Sequence, residues 1–217
     1  MRLHIFCDFD GTIAKNDIGN LVFTTFGDAD HWWGLVRDWK EGRIKGRELW
    51  QRQCQVSRMT EAELDAFAAT QAIDPAFPAF VAFCRERDIP LDVLSDGMDA
   101  YIQSILVYHG LGDLTIRANH LIIQPNGKLK AEFPYYEMGC GVCANCKGSH
   151  LRQARQLDMT LVYVGDGRSD LCALAEADIT FAKSELLAYC REKNLGCRPF
   201  STFADVLEGV KELVERH

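Results

Sequence analysis

A chain of 217 residues, 47% hydrophobic, can bury one sizeable core and still carry a smaller inserted domain. Its formal net charge of -7, with no basic stripe, argues against nucleic acid as a partner. No apolar run approaches the roughly 20 residues that span a bilayer, and residues 1–11 enter a strand pattern with no leader-like layout, so a cytoplasmic protein with no membrane partner is expected, as monomer or homodimer.

In chain order, residues 3–7 form a short apolar run that reads as a buried strand ending at Asp8. Similar runs lie at 91–94, 114–116, 161–164 and 179–181. Between them are helix-period segments at 75–87 (Asp74 as N-cap), 100–109 (Gly110 as stop), 149–157 and 203–216. Alternation of this kind predicts an α/β fold, a Rossmann-like parallel sheet with helices on both faces. Residues 16–72 break the rhythm: they hold helical stretches at 30–41, 45–56 and 60–69, a Thr60–Glu63 capping box, and the four tryptophans Trp32, Trp33, Trp39 and Trp50. This segment is expected to be an inserted helical cap of residues 16–72 in a core domain of residues 1–15 and 73–217. In "HLIIQPNGKLKAEFP", Asn126-Gly127 between two alternating runs predicts a hairpin.

The chemistry-bearing residues fall at the ends of these elements. In "FCDFDGTIA", Asp8 and Asp10 lie where an open parallel sheet binds its ligands, and strand alternation would turn both toward one centre. One carboxylate can serve as nucleophile in phosphoryl transfer and the other as acid and then base. Gly11 permits a close turn, and Thr12 offers a hydroxyl and an amide to a phosphate oxygen. "LDVLSDG" places Ser95 at a strand end, "NCKGS" places Lys147 at a helix start, and "VYVGDGRSD" places Asp166 and Asp170 after the fourth strand. Each alone has a structural explanation, as a helix cap, a solvated lysine or a loop acid.

Together and in this order, these four motifs resemble the signature of the haloacid dehalogenase superfamily, and the cap after the first motif matches its phosphoserine-phosphatase-like subtype. "SDGMD" and "CGVCANCKG" bring the chain nearest to two groups, the methionine-salvage enol-phosphate phosphatases and the phosphoethanolamine/phosphocholine phosphatases. The resemblance implies an Asp8 nucleophile and an Asp10 acid and base. It implies magnesium on Asp8, the Asp10 carbonyl and Asp166 with Asp170 in support, and phosphate contacts from Thr12, Ser95, Lys147 and the Gly97 amide. Asp96 is a candidate partner for a substrate amine, and the tryptophans with His31, Arg37, Arg43 and Arg47 are candidates for the leaving group. The resemblance implies a small phosphorylated metabolite as substrate. The alternatives are phosphoserine hydrolysis, phosphoryl transfer to another acceptor, or a non-catalytic, zinc-containing binder of a phosphorylated ligand.

Of the nine cysteines, Cys7, Cys54, Cys84, Cys172 and Cys190 read as small core residues with reduced thiols. Cys140, Cys143, Cys146 and His150 form C-x2-C-x2-C-x3-H, a candidate zinc set. The other readings are a disulfide or redox switch, or a metal-free loop. Under each of them the loop fixes where Lys147 emerges.

Overall fold

The alternation of short apolar runs with amphipathic segments builds β1 (Arg2–Cys7), α1 (Ile18–Thr25), α2 (Ala29–Lys40), α3 (Gly46–Val56), α4 (Glu61–Ala68), α5 (Phe77–Glu86), β2 (Leu91–Met98) and α6 (Asp99–Tyr108). It continues with β3 (Thr115–Ile123), β4 (Leu129–Glu132), α7 (Lys147–Ala154), β5 (Met159–Gly165), α8 (Leu171–Leu174), β6 (Ile179–Ala182), α9 (Ser184–Glu192), β7 (Arg198–Pro199) and α10 (Phe203–Glu215). The computed structural model describes residues 2–215, so Arg216, expected to close the last helix, lies outside the described residues. The strands form one sheet in the order β4-β3-β2-β1-β5-β6-β7. The fold is α/β, a sheet dominated by parallel pairs and interleaved with helices. Among the described residues no helix is long and apolar enough to cross a membrane.

The chain divides into two compact units, one of Met1–Lys15, Ala72–Leu94 and Lys147–His217, the other of Asn16–Gln71 and Ser95–Cys146. β2 runs through the boundary, giving Leu91–Leu94 to the first unit and Ser95–Met98 to the second.

In the first unit β1 pairs in parallel with β2 and β5, with Cys7 level with Val93 and with Val164. Its core joins Phe6, Leu94, Leu151, Leu161, Tyr163, Leu186 and Cys190. Phe77, Phe80 and Phe203 meet at ring-centroid distances of 4.7–6.4 Å, which packs α10 on α5. Asp74 joins the same two helices from the polar side. Its carboxylate accepts from the amide of Ala76 at 2.8 Å and from that of Phe203 at 3.1 Å, so it orders the turn before α5 and the start of α10, while the N-cap of α5 is Ala76 in place of the expected Asp74. α9 and β7 have no counterpart in the sequence expectation. Cys190, expected as a lone reduced core thiol, is joined to Cys197 in a disulfide between α9 and β7. Spacing alone concealed this pair, because the cysteines are 7 residues apart and come together only through the turn between those elements.

In the second unit the Thr60 capping box forms in full: Thr60 Oγ1 accepts from the Glu63 amide at 3.2 Å, and Glu63 accepts from the Thr60 amide at 2.8 Å. β3 and β4 make the hairpin, Ile123 opposite Leu129, with Gly127 at φ 76° in the turn. β2 extends past the expected end at Leu94 because the Asn119 side-chain amide donates to the carbonyls of Asp96 (2.6 Å) and Gly97 (3.1 Å), holding that stretch extended. Trp32 and Trp50 are buried and, with Phe23, form a cluster with centroids 5.3–5.5 Å apart that binds α1, α2 and α3 together. Trp32 Nε1 also donates to Asn20 at 2.9 Å, whereas Trp33 is 50% exposed.

Candidate active site

β1 ends at Cys7, one residue before Asp8, whose amide still donates to the Val164 carbonyl at 2.9 Å and so continues the ladder with β5. The chain then turns sharply over Phe9–Ile13 instead of continuing as a strand. Strand alternation is therefore not what relates Asp8 to Asp10; the turn is. Its tightest point is Gly11 at φ 71°, in the left-handed region that glycine enters without cost. A Cβ there would stand 2.5 Å from Asp166 Oδ2. Gly11→Ala is expected to impose about 1–3 kcal/mol of local strain and to push Asp166 aside. The thermal unfolding midpoint should fall accordingly; an unchanged midpoint would show that the turn takes up a Cβ without strain.

Asp8 is 3% exposed, and Lys147, at the first position of α7, is 1% exposed. The Lys147 ammonium donates to Asp8 Oδ1 at 2.5 Å, to Asp170 Oδ1 at 2.6 Å and to Ser169 Oγ at 3.4 Å. Asp8 Oδ1 also accepts from the Phe9 amide at 2.7 Å. Asp170 is fully buried and accepts from Tyr163 Oη at 2.5 Å and from the amides of Asp166 and Gly167, both at 2.9 Å. Thr12 Oγ1 donates to Asp166 Oδ1 at 3.3 Å. α7 can bring Lys147 so close because Gly148 has no side chain: a Cβ there would stand 2.3 Å from the Cys172 carbonyl of α8.

These groups shape one another's charge. Burial, followed by the Asp170, Asp166 and Asp10 carboxylates, raises the Asp8 pKa well above the usual range, with Lys147 opposing. Asp166 is pushed up to about 6 by burial and by Asp170. Burial works against the Lys147 ammonium, yet Asp170 and Asp8 outweigh it and keep it charged. Oxygens of Asp8, Asp166 and Asp170 lie within 4.8 Å of one another. Several carboxylates around a single ammonium leave residual negative charge on hard oxygen donors, and that donor set fits a small divalent cation such as Mg2+.

Ser95, Asp96 and Gly97 belong to the second unit. Ser95 Oγ accepts from the Gly97 amide at 2.9 Å. Asp96 Oδ1 accepts from the Asn145 amide at 2.5 Å, and the Asn145 side chain donates to the carbonyls of Ser95 (2.8 Å) and Arg117 (2.9 Å). Asp96 thus anchors the backbone that leads into Lys147. Of the cap cations proposed for the leaving group, Arg43 pairs with Asp38 and Arg47 stacks over Phe133 and Tyr136 at 5.6 and 4.8 Å. The sulfurs of Cys140, Cys143 and Cys146 lie within 4.8 Å of one another. His150, expected as their companion ligand, is buried on α7 and belongs to no group of three or more potential ligands among the described residues. Tyr163 and Ser169 carried no sequence signal as site residues. Tyr163 reads as one more apolar strand position until its hydroxyl is seen on Asp170.

A buried strand-end aspartate facing a buried lysine, with further aspartates on the loop after the neighbouring strand, is the arrangement of a haloacid dehalogenase-type phosphatase. The chain belongs to the family described as Putative Phosphatase, whose model matches residues 3–190, and is a hydrolase of phosphoric monoesters. It is 31% identical to 2-hydroxy-3-keto-5-methylthiopentenyl-1-phosphate phosphatase from Geobacillus kaustophilus (strain HTA426), over 98% of this chain and 97% of the relative. It is 28% identical to Pdp3-interacting factor 1 from Schizosaccharomyces pombe (strain 972 / ATCC 24843), over 98% and 96% of the two chains. In fold it is similar to a structure described as a phospho-aspartyl intermediate analogue of phosphoserine phosphatase, with TM-score 0.69 and 18% identity, covering 95% of this chain and 97% of that one.

Proposed function

We propose that the protein is a magnesium-dependent phosphomonoesterase that works through an aspartyl-phosphate and acts on the methylthiopentenyl enol phosphate of methionine salvage. The observation that carries the chemistry is the buried Lys147 ammonium between Asp8 and Asp170 at the end of β1. The name of the Geobacillus kaustophilus relative supports the substrate.

Both hydrogen bonds to Asp8 fall on Oδ1, which leaves Oδ2 as the attacking oxygen. As Oδ2 bonds to phosphorus, the ester P–O bond breaks and Asp10 gives its proton to the leaving oxygen. Asp10, now a carboxylate, takes a proton from water, whose oxygen attacks phosphorus and releases Asp8 and orthophosphate. An enol is a better leaving group than an alkyl alcohol and asks less of Asp10. Lys147, Thr12 and Ser95 offset charge on the phosphoryl oxygens, while Asp170 and Tyr163 keep Lys147 aimed. Asp8, the Asp10 carbonyl and Asp166, with Asp170 in support, would hold Mg2+, which offsets the repulsion between the Asp8 carboxylate and the phosphate dianion.

The test is phosphate release with magnesium across the enol phosphate, phosphoserine, phosphoethanolamine and phosphocholine. The expected result is a kcat/KM for the enol phosphate on the order of 100-fold above the others, with an acid-stable, hydroxylamine-labile phosphoprotein on rapid quench. Preference for phosphocholine or phosphoserine would overturn the substrate. Turnover without a trapped phosphoprotein, under conditions where release of phosphate is slow, would overturn the covalent step.

A further inference from the structure

The loop entering α7 contains machinery that phosphate hydrolysis does not use. We infer that Cys140, Cys143 and Cys146 bind a structural zinc ion that rigidifies the chain immediately before Lys147.

Four sulfurs arranged tetrahedrally on zinc at about 2.3 Å stand about 3.8 Å apart. The three sulfurs of this loop already lie within 4.8 Å of one another, so closing on an ion requires shifts of under about 1 Å each. None of the three is in a disulfide, although the same structure pairs Cys190 with Cys197.

The backbone is shaped around the sulfurs. Gly141, directly after the first cysteine, sits at φ 74° and doubles the chain back, and the Cys143 amide donates to Cys140 Sγ at 3.5 Å, which turns that sulfur toward the inside of the loop. Bonds outside the cluster hold the loop in place: the Gly46 amide donates to the Val142 carbonyl at 3.0 Å, and the Asn145 amide to Asp96 at 2.5 Å. The sulfurs are thereby gathered by a frame that does not itself need the ion. Cys146 is 1% exposed and precedes the phosphate-site lysine in the chain, so an ion on its sulfur fixes the residue from which Lys147 departs.

The inference is tested by metal analysis of untagged protein, loaded with zinc in the presence of excess magnesium and passed through a desalting column. About one zinc per chain is expected, and cobalt in its place should give thiolate charge-transfer bands with the intense d–d absorption of a tetrahedral site. Cys140→Ser, Cys143→Ser and Cys146→Ser should each lose the ion. Cys54→Ser, in α3, and Asp166→Asn, at the carboxylate site, should keep it. The reading holds independently of variant folding if zinc protects the three loop thiols of the natural chain from alkylation and a chelator exposes them. Folded protein that takes up no zinc and whose loop thiols alkylate equally with and without it would overturn the site, as would stoichiometric iron. None of these readouts depends on phosphatase activity, so failure here is distinguishable from failure of the substrate assignment.

Discussion

Asp8→Asn protein is expected to fold normally and to lose turnover by a factor on the order of 10^4 or more. The substitution replaces the nucleophilic carboxylate with an amide of the same shape, and the amide oxygen can still accept from Phe9 and Lys147. Burial and three neighbouring carboxylates disfavour charge at position 8 while Lys147 favours it, and Lys147 keeps its bond to Asp170 after the substitution, so the change in stability should be small. The measurements are phosphate release at saturating magnesium, rapid-quench labelling, and thermal unfolding of variant and parent. Near-normal release would eliminate the covalent mechanism. Lost release with a collapsed unfolding transition would instead mean that Asp8 is chiefly structural.

Lys147→Met is expected to be damaging in a different way. The ammonium is buried between Asp8 and Asp170, and a methionine of similar length leaves both carboxylates without it. Breaking a buried pair from one side typically costs about 3–5 kcal/mol, so a clear fall in the unfolding midpoint should accompany a loss of turnover on the order of 10^3-fold. Adding Asp170→Asn to Lys147→Met should recover part of the stability, since one uncompensated charge is then removed, but none of the activity. Equal stability of the single and double variants would show that Asp170 is adequately held by Tyr163 and the amides of Asp166 and Gly167 alone. Asp8→Asn and Lys147→Met thus separate the chemical role of this pair from its structural one: the first should abolish catalysis and spare the fold, the second should weaken both.

What could be read from the chain was written in local signals. The Thr60–Glu63 box, the Asn126-Gly127 turn and the apolar runs ending at Asp8 and before Asp166 each act over a few residues, so their energies are visible in a short window of sequence. The order of the motifs around Asp8, Ser95, Lys147 and Asp166 added the class of chemistry. The sequence also marked Cys140, Cys143 and Cys146 as unusual, because three evenly spaced thiols stand out without any knowledge of the fold.

The remaining features depended on residues far apart in the chain. Lys147 reaches Asp8 across 139 positions, and only the parallel register of β1 with β5 and the close packing of α7 on α8 at Gly148 bring the two together. Asp170 was expected as support for a metal; the structure adds that it orients Lys147, with Tyr163 beneath it. Asp96 became an anchor for the Asn145 backbone, and Cys190 found Cys197, through turns that no residue spacing encodes. The sequence by itself determined the elements, their order and the kinds of groups available for phosphoryl chemistry, because capping, periodicity and turn preference are local free energies. The tertiary structure alone decided which buried charges face one another, because that depends on strand register and helix packing, set by the whole core at once.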